Sequence, residues 1–142
     1  MPSRFGDGSY GIYYASDSMH TAIAETRFHR ERFLAYTDEG PGEIDVRAYV
    51  GEIARPLHDI RDGFDDLHDP DTGRYPLPQA FGRELRDQGS WGIVYRSVRD
   101  PGGQCIAALR PPAVTIPRQG AHLSYVWDGA RITRVYEKTR IL

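Results

Sequence analysis

The chain has 142 residues and a mass of 16.1 kDa, the size of one ordinary domain, which excludes an enzyme with separate cofactor and substrate lobes. Apolar residues make up 39% and charged residues 27%, enough for one modest core. With 18 basic against 20 acidic residues the net charge is −2, so no global basic field exists to hold a nucleic-acid backbone.

The single cysteine, Cys105, cannot form an intrachain disulfide, and no HExxH or paired CxxC pattern supports a zinc site. No apolar run approaches a membrane span. Met1-Pro2-Ser3-Arg4 carries no apolar signal-peptide core, so a soluble cytoplasmic single domain over residues 1–142 is the expectation. All the basic residues except Lys138 are arginine, the side chain suited to bidentate phosphate and carboxylate binding.

In chain order, Gly11-Ile12-Tyr13-Tyr14-Ala15 follows a glycine-rich turn and reads as a short strand. Ser16-Asp17-Ser18 offers helix N-caps, and the three- and four-residue spacing from Met19 to Leu34 predicts the longest helix. Residues 37–42 form a loop, and 44–53 alternate as a half-buried strand. From Asp59 to Pro78 the chain is rich in Asp, Gly and Pro; the expectation is an irregular loop with at most one helical turn. A short helix over Pro78 to Gln88 follows, with proline at its start and Gly89 past its end. Strands at 92–95 and 104–109 flank Asp100-Pro101-Gly102-Gly103. A hairpin pairs 124–127 with 132–136 around Asp128-Gly129. One or two main helices and mostly antiparallel sheets give an α+β class, without regular βαβ alternation.

No GxGxxG, phosphate loop or GxSxG is present. The informative stretch is 4–32. Glu25 and His29 sit at i,i+4 on one helix face, and Glu25 falls beside Ala22, Ile23 and Thr26 at the edge of the apolar stripe. A carboxylate there needs a partner, and Arg4 or Arg27 could provide it. From spacing alone a structural Glu–Arg pair is the simpler reading, and His29 reads as a helix-surface residue. Ser97, closing a strand before a Gly-rich turn, reads as a turn former.

The blocks Arg4-Phe5-Gly6-Asp7-Gly8-Ser9-Tyr10-Gly11-Ile12-Tyr13-Tyr14-Ala15, Thr21-Ala22-Ile23-Ala24-Glu25-Thr26 with His29-Arg30, and Gly92 to Arg99 resemble, in order and spacing, the signature of RES-domain proteins. The family is named for an Arg, a Glu and a Ser, which fall on Arg4, Glu25 and Ser97. Only three residues precede Arg4, where many members carry about a strand's length; either the start is shortened or that strand is dispensable. The resemblance implies a core like that of diphtheria-toxin-like ADP-ribosyltransferases, and the likeness is to ParT-type toxins of toxin–antitoxin pairs. It implies consumption of NAD as co-substrate, with no metal.

In that frame Glu25 stabilises the positive charge that develops on the ribose as the nicotinamide bond breaks. Arg4 clamps the phosphates, with Arg27, His29 and Arg96 as further cofactor-binding candidates. Tyr14 or Tyr13 packs on the nicotinamide, and Ser97 orients Glu25 or the ribose. The acceptor stays open: water, phosphate, or a protein such as phosphoribosyl pyrophosphate synthetase. The implied partner is an Xre/ParS-type helix-turn-helix antitoxin that blocks the NAD cleft in a hetero-oligomer. The contrasting class is a non-catalytic binding module in which Arg4, Glu25 and His29 form a structural network and the 59–78 loop is a partner surface.

Overall fold

A computed structural model describes residues 2–142 as two compact units, the first formed by residues 2–25 with Ile53–Thr115, the second by Thr26–Glu52 with Ile116–Leu142. The class is α+β. Among the described residues there are two α-helices and seven strands, and every strand pairing but one is antiparallel.

The first unit is built on a four-stranded sheet of order β1-β5-β4-β3, with β1 Tyr13–Ser16, β3 His58–Asp59, β4 Gly92–Arg96 and β5 Gln104–Ala108. β4 and β5 are central and mostly buried, which suits their apolar runs. The single parallel pairing places His58 and Asp59 beside Ile93 and Val94. One core gathers Phe5, Ile60, Leu67, Leu85, Ile93, Tyr95, Cys105, Ala107 and Leu109.

Helix α2, Pro76–Asp87, starts two residues earlier than its sequence suggests, because Pro76 takes the first helical position, where a missing N–H costs nothing. Before it, the irregular stretch contains two 3-10 turns, Asp65–His68 and Thr72–Arg74, rather than one helical turn. Gly82 lets α2 lie against the chain's start: a methyl there would overlap the Phe5 carbonyl oxygen.

Helix α1, Met19–Ala35, contains no glycine or proline, and the Ser18 hydroxyl caps it by accepting the Thr21 backbone N–H at 3.1 Å. Its residues up to Glu25 belong to the first unit and those from Thr26 to the second.

The second unit has a sheet of order β2-β6-β7, with β2 Gly42–Val50, β6 Arg118–Trp127 and β7 Ile132–Lys138. Tyr125, Leu123, Trp127 and Ile132 are buried there. The Tyr125 hydroxyl meets Thr26 Oγ1 at 2.6 Å, and the Ile132 N–H donates to Glu31 at 2.8 Å. The β6–β7 turn takes four residues, with the Asp128 carboxylate accepting the N–H groups of Ala130 and Arg131 and Gly129 at φ 103°. β2 ends at Val50 after an irregularity at Arg47/Tyr49, and Ile53, already in the first unit, makes a lone bridge to Val114 there.

In an open helix Gly→Ala is stabilising, so Gly82 supplies a test of sign. Gly82→Ala lowers the urea-unfolding free energy by about 1–3 kcal/mol through overpacking on Phe5. An unchanged or raised midpoint would show that α2 does not lean on this segment.

Candidate active site

Arg4 lies at the chain's start yet is only 7% exposed. Four contacts tie the segment down: Ser3 N–H to the Gly6 carbonyl, Gln79 Nε2 to the Ser3 carbonyl at 2.9 Å, and the Tyr14 hydroxyl to Ser3 Oγ at 2.7 Å and the Phe5 N–H at 3.0 Å. The guanidinium rests over the Tyr75 ring, 5.0 Å from its centroid. Nη1 donates to the carbonyls of Leu67 (3.1 Å) and Asp69 (3.0 Å). Nε and Nη2 make no hydrogen bond to another described residue and are not sealed from solvent.

His68 sits between those two carbonyls. Its Nδ1 donates to the Phe64 carbonyl at 2.9 Å and its Nε2 accepts the Arg96 backbone N–H at 3.2 Å, which fixes the neutral Nδ1–H tautomer. The loop that cradles Arg4 is thereby fastened to the residue preceding Ser97. The Arg96 side chain adds to this, donating to the carbonyls of Arg61 and Gly63 and to Asp65 at 3.1 Å.

Glu25 and Thr21 share a face of α1 one turn apart. Both engage the turn after β4. The Thr21 hydroxyl donates to Asp100 at 2.7 Å, and Ser97 Oγ donates to Glu25 Oε1 at 2.8 Å. The Asp100 N–H donates to Ser97 Oγ at 3.0 Å, which directs the serine's own proton toward Glu25. The Cys105 thiol donates to the same Glu25 oxygen at 3.7 Å and lies 3.4 Å from Ser16 Oγ. Gly103 makes the close approach possible, since a methyl there would overlap Thr21.

Buried Tyr95 lies within electrostatic reach of Cys105, Tyr14, Glu25 and Arg4 together. Within the first unit Tyr14 is hydrogen-bonded to the segment that carries Arg4, and Ser97 is hydrogen-bonded to Glu25. Two surface depressions, of about 440 Å³ beside Phe64, Leu67 and Phe81 and about 540 Å³ beside Leu57, His58, Ser90 and Trp91, are lined by none of the four. Tyr13 is the exposed neighbour of Tyr14 on the opposite face of β1. Arg27 and His29 belong to the second unit, where Arg27 pairs with Glu31 at 3.3 Å and the His29 ring meets Phe28 edge-on.

Sequence reasoning did not single out Tyr75, His68, Tyr95, Cys105 or Asp100. Each reaches the site through the fold, and no local spacing marks them. The available signal was weak: a tyrosine and a cysteine alternating inward on the two central strands.

These observations meet in the comparisons with known proteins. Residues 1–128 match the RES domain family. The chain belongs to that family. Its fold is accordingly ADP-ribosyltransferase-like. It is also similar, at 29% identity over 138 residues, to the uncharacterized protein y4oC of Sinorhizobium fredii (strain NBRC 101917 / NGR234). That alignment covers 94% of this chain and 55% of y4oC, so the chain spans about half the length of the curated relative it matches. No helix among the described residues is long and apolar enough to cross a membrane.

Two predictions follow from the environments of His68 and Cys105. Burial pushes the His68 pKa below its usual value; the Arg96 and Arg4 cations add to this, while the Phe64 carbonyl and Asp65 oppose it. Above about pH 6.5 both folded and unfolded forms are neutral. As pH falls from there toward the lower folded value, the unfolded chain takes up a proton that the RES fold refuses, and stability declines. Urea unfolding across pH 5–8 should show this loss, reduced in His68→Gln; an identical pH profile in the variant would contradict it. Burial likewise pushes the Cys105 thiol up to about 11. Iodoacetamide should modify it at neutral pH only after unfolding, as read by mass spectrometry.

Proposed function

We propose that this RES domain is the toxin half of a ParT-type toxin–antitoxin pair, cleaving the nicotinamide–ribose bond of NAD and transferring ADP-ribose to a protein acceptor. RES domains are in general toxin components with NAD-related activity, which supports an NAD-processing enzyme. The observation that carries the reading is the hydrogen bond from Ser97 to Glu25. It fixes a half-buried carboxylate among polar groups, where a developing cation would be stabilised.

In this mechanism the C1′–N bond breaks, the electron pair leaves with nicotinamide, and positive charge spreads over the ribose. Glu25 stabilises that charge. Ser97 and Cys105 hold the carboxylate in place before the reaction, so little reorganisation is needed. Arg4 offers Nε and Nη2 to the diphosphate, while Nη1 remains bound to its two carbonyls. Tyr14 acts first as a strut for the Arg4 segment, since its hydroxyl is engaged by Ser3 and Phe5. The ring of Tyr14 or Tyr13 serves the nicotinamide. Arg96 shapes the Arg4 loop, and Arg27 and His29 remain accessory candidates. This mechanism uses no metal ion.

A nucleophile then attacks C1′. Water would make the chain an NAD glycohydrolase and phosphate a phosphorylase. We favour a protein side chain, with phosphoribosyl pyrophosphate synthetase as acceptor on the likeness to ParT-type toxins. An Xre/ParS-type helix-turn-helix antitoxin would silence the enzyme by covering the mouth beside Arg4 and Glu25.

The test follows NAD labelled separately on nicotinamide and adenylate, with and without that acceptor. Glu25→Gln should slow nicotinamide release about 100- to 1,000-fold, and Ser97→Ala about tenfold or more, with melting temperatures near that of the parent. Release by Glu25→Gln at the parent rate would end the assignment.

A further inference from the structure

Tyr95 takes no part in the chemistry described so far. It is the fourth residue of β4 and 5% exposed, with its ring edge-on to Phe5 at 4.9 Å and 6.3 Å from the His68 ring. The ring is part of the core. The hydroxyl is different: it makes no hydrogen bond to another described residue, yet it is not among the polar atoms sealed from solvent. A buried tyrosine hydroxyl ordinarily finds a partner, because leaving one unmade is unfavourable.

Tyr95 stands opposite Cys105 in the β4–β5 ladder and two residues before Ser97 on the same side of the chain, and the charges and dipoles acting on its phenol are those of Cys105, Tyr14, Glu25 and Arg4. Their own bonds point elsewhere. The Tyr14 hydroxyl is held by Ser3 and Phe5, the Cys105 thiol donates to Glu25, and Arg4 Nη1 lies on the Leu67 and Asp69 carbonyls. The Tyr95 hydroxyl is therefore left without a bond on the strand face that also carries Ser97, beside the cysteine that donates to Glu25.

We propose that Tyr95 is a substrate-contacting residue whose hydroxyl donates a hydrogen bond to a hydroxyl oxygen of the nicotinamide-side ribose. The proposal rests on the NAD reading and deepens it. Burial keeps the phenol protonated, so it is a donor at neutral pH. A sugar hydroxyl is the group that satisfies both neighbours: it accepts from Tyr95 and donates its own proton to the Glu25 carboxylate. A phosphate oxygen has no proton to give Glu25 and belongs with Arg4. Tyr95 thus selects a ribose with an intact hydroxyl at the bond to be broken.

Tyr95→Phe isolates the hydroxyl, because the ring packing stays and no protein hydrogen bond is removed. The melting temperature should be unchanged or slightly raised. The KM for NAD and the dissociation constant for ADP-ribose, measured by calorimetry, should rise about three- to tenfold. An NAD analogue lacking the nicotinamide-side ribose 2′-hydroxyl should be penalised in the parent and much less in Tyr95→Phe, the coupling expected of a direct contact. Unchanged affinities would mean that the hydroxyl meets water only, and a large fall in melting temperature would mean that it has a structural partner; either overturns the proposal. Tyr95-dependent binding of ADP-ribose without any NAD turnover would sink the proposed function and leave the Tyr95 contact standing. A parent chain that binds neither compound overturns both.

Discussion

The first unit depends on how it holds one buried guanidinium at the chain's start. A cation removed from water is unfavourable unless its protons find acceptors, and chain ends fray unless something fixes them. The Leu67–Asp69 tripeptide answers the second demand and part of the first. The carbonyls of Leu67 and Asp69 receive Arg4 Nη1, and the imidazole between them is anchored by the Arg96 N–H. Arg4 is consequently secured to the sheet through long-range contacts, with separations of 63 and 65 residues along the chain. Tyr14, Gln79 and the absent side chain at Gly82 hold the backbone on either side. The arginine is ordered because these anchors come from later segments.

The carboxylate side of the site obeys a different constraint. A helix presents residues four apart on one face, and α1 uses that pair to grip a single turn at two points. Thr21 takes the Asp100 side chain, and Glu25 takes Ser97, whose orientation is set by the Asp100 backbone. Gly103 removes the side chain that would keep helix and turn apart. Glu25 is held by geometry that its neighbours impose, the restraint that its proposed catalytic role would require.

Elements governed by local rules were legible in the sequence. The long helix follows from apolar spacing, Ser18 as its cap and seventeen residues without glycine or proline. The β4–β5 pair follows from two apolar runs around a Gly-rich turn. The start of β6 was not legible, because Gln119-Gly120-Ala121-His122 has no alternation; pairing with β2 makes it a strand. The site divides in the same way. Arg4, Glu25 and Ser97 came from a resemblance of ordered blocks, whereas spacing alone favoured a structural ion pair and a turn serine. His68, Tyr75 and Tyr95 act through contacts between distant segments, and composition carries no trace of such contacts. Arg96 shows what its spacing could not: its side-chain bonds go to the 61–65 loop.

An enzyme that consumes a dinucleotide needs a different design from one that borrows it. A resident cofactor rewards tight, uniform binding along a contiguous glycine-rich loop and helix, and this chain has no such motif. For a substrate destroyed at each turnover, uniform binding lowers KM without raising kcat. What accelerates the reaction is a group whose interaction strengthens as charge develops on the ribose. In the proposed reading Glu25 is that group, and its restraint by Ser97 and Cys105 matters more than the number of contacts to the adenosine half. The glycine-rich start then has another use. Gly6 is buried against the Ile12 side chain, which a methyl there would overlap, and Gly8 at φ 95° turns the chain toward β1. Those glycines return the chain so that Tyr14 can clasp the segment carrying Arg4. Arg4 is placed by packing, and the donors that the proposed reading assigns to the diphosphate are left open as a consequence of that placement.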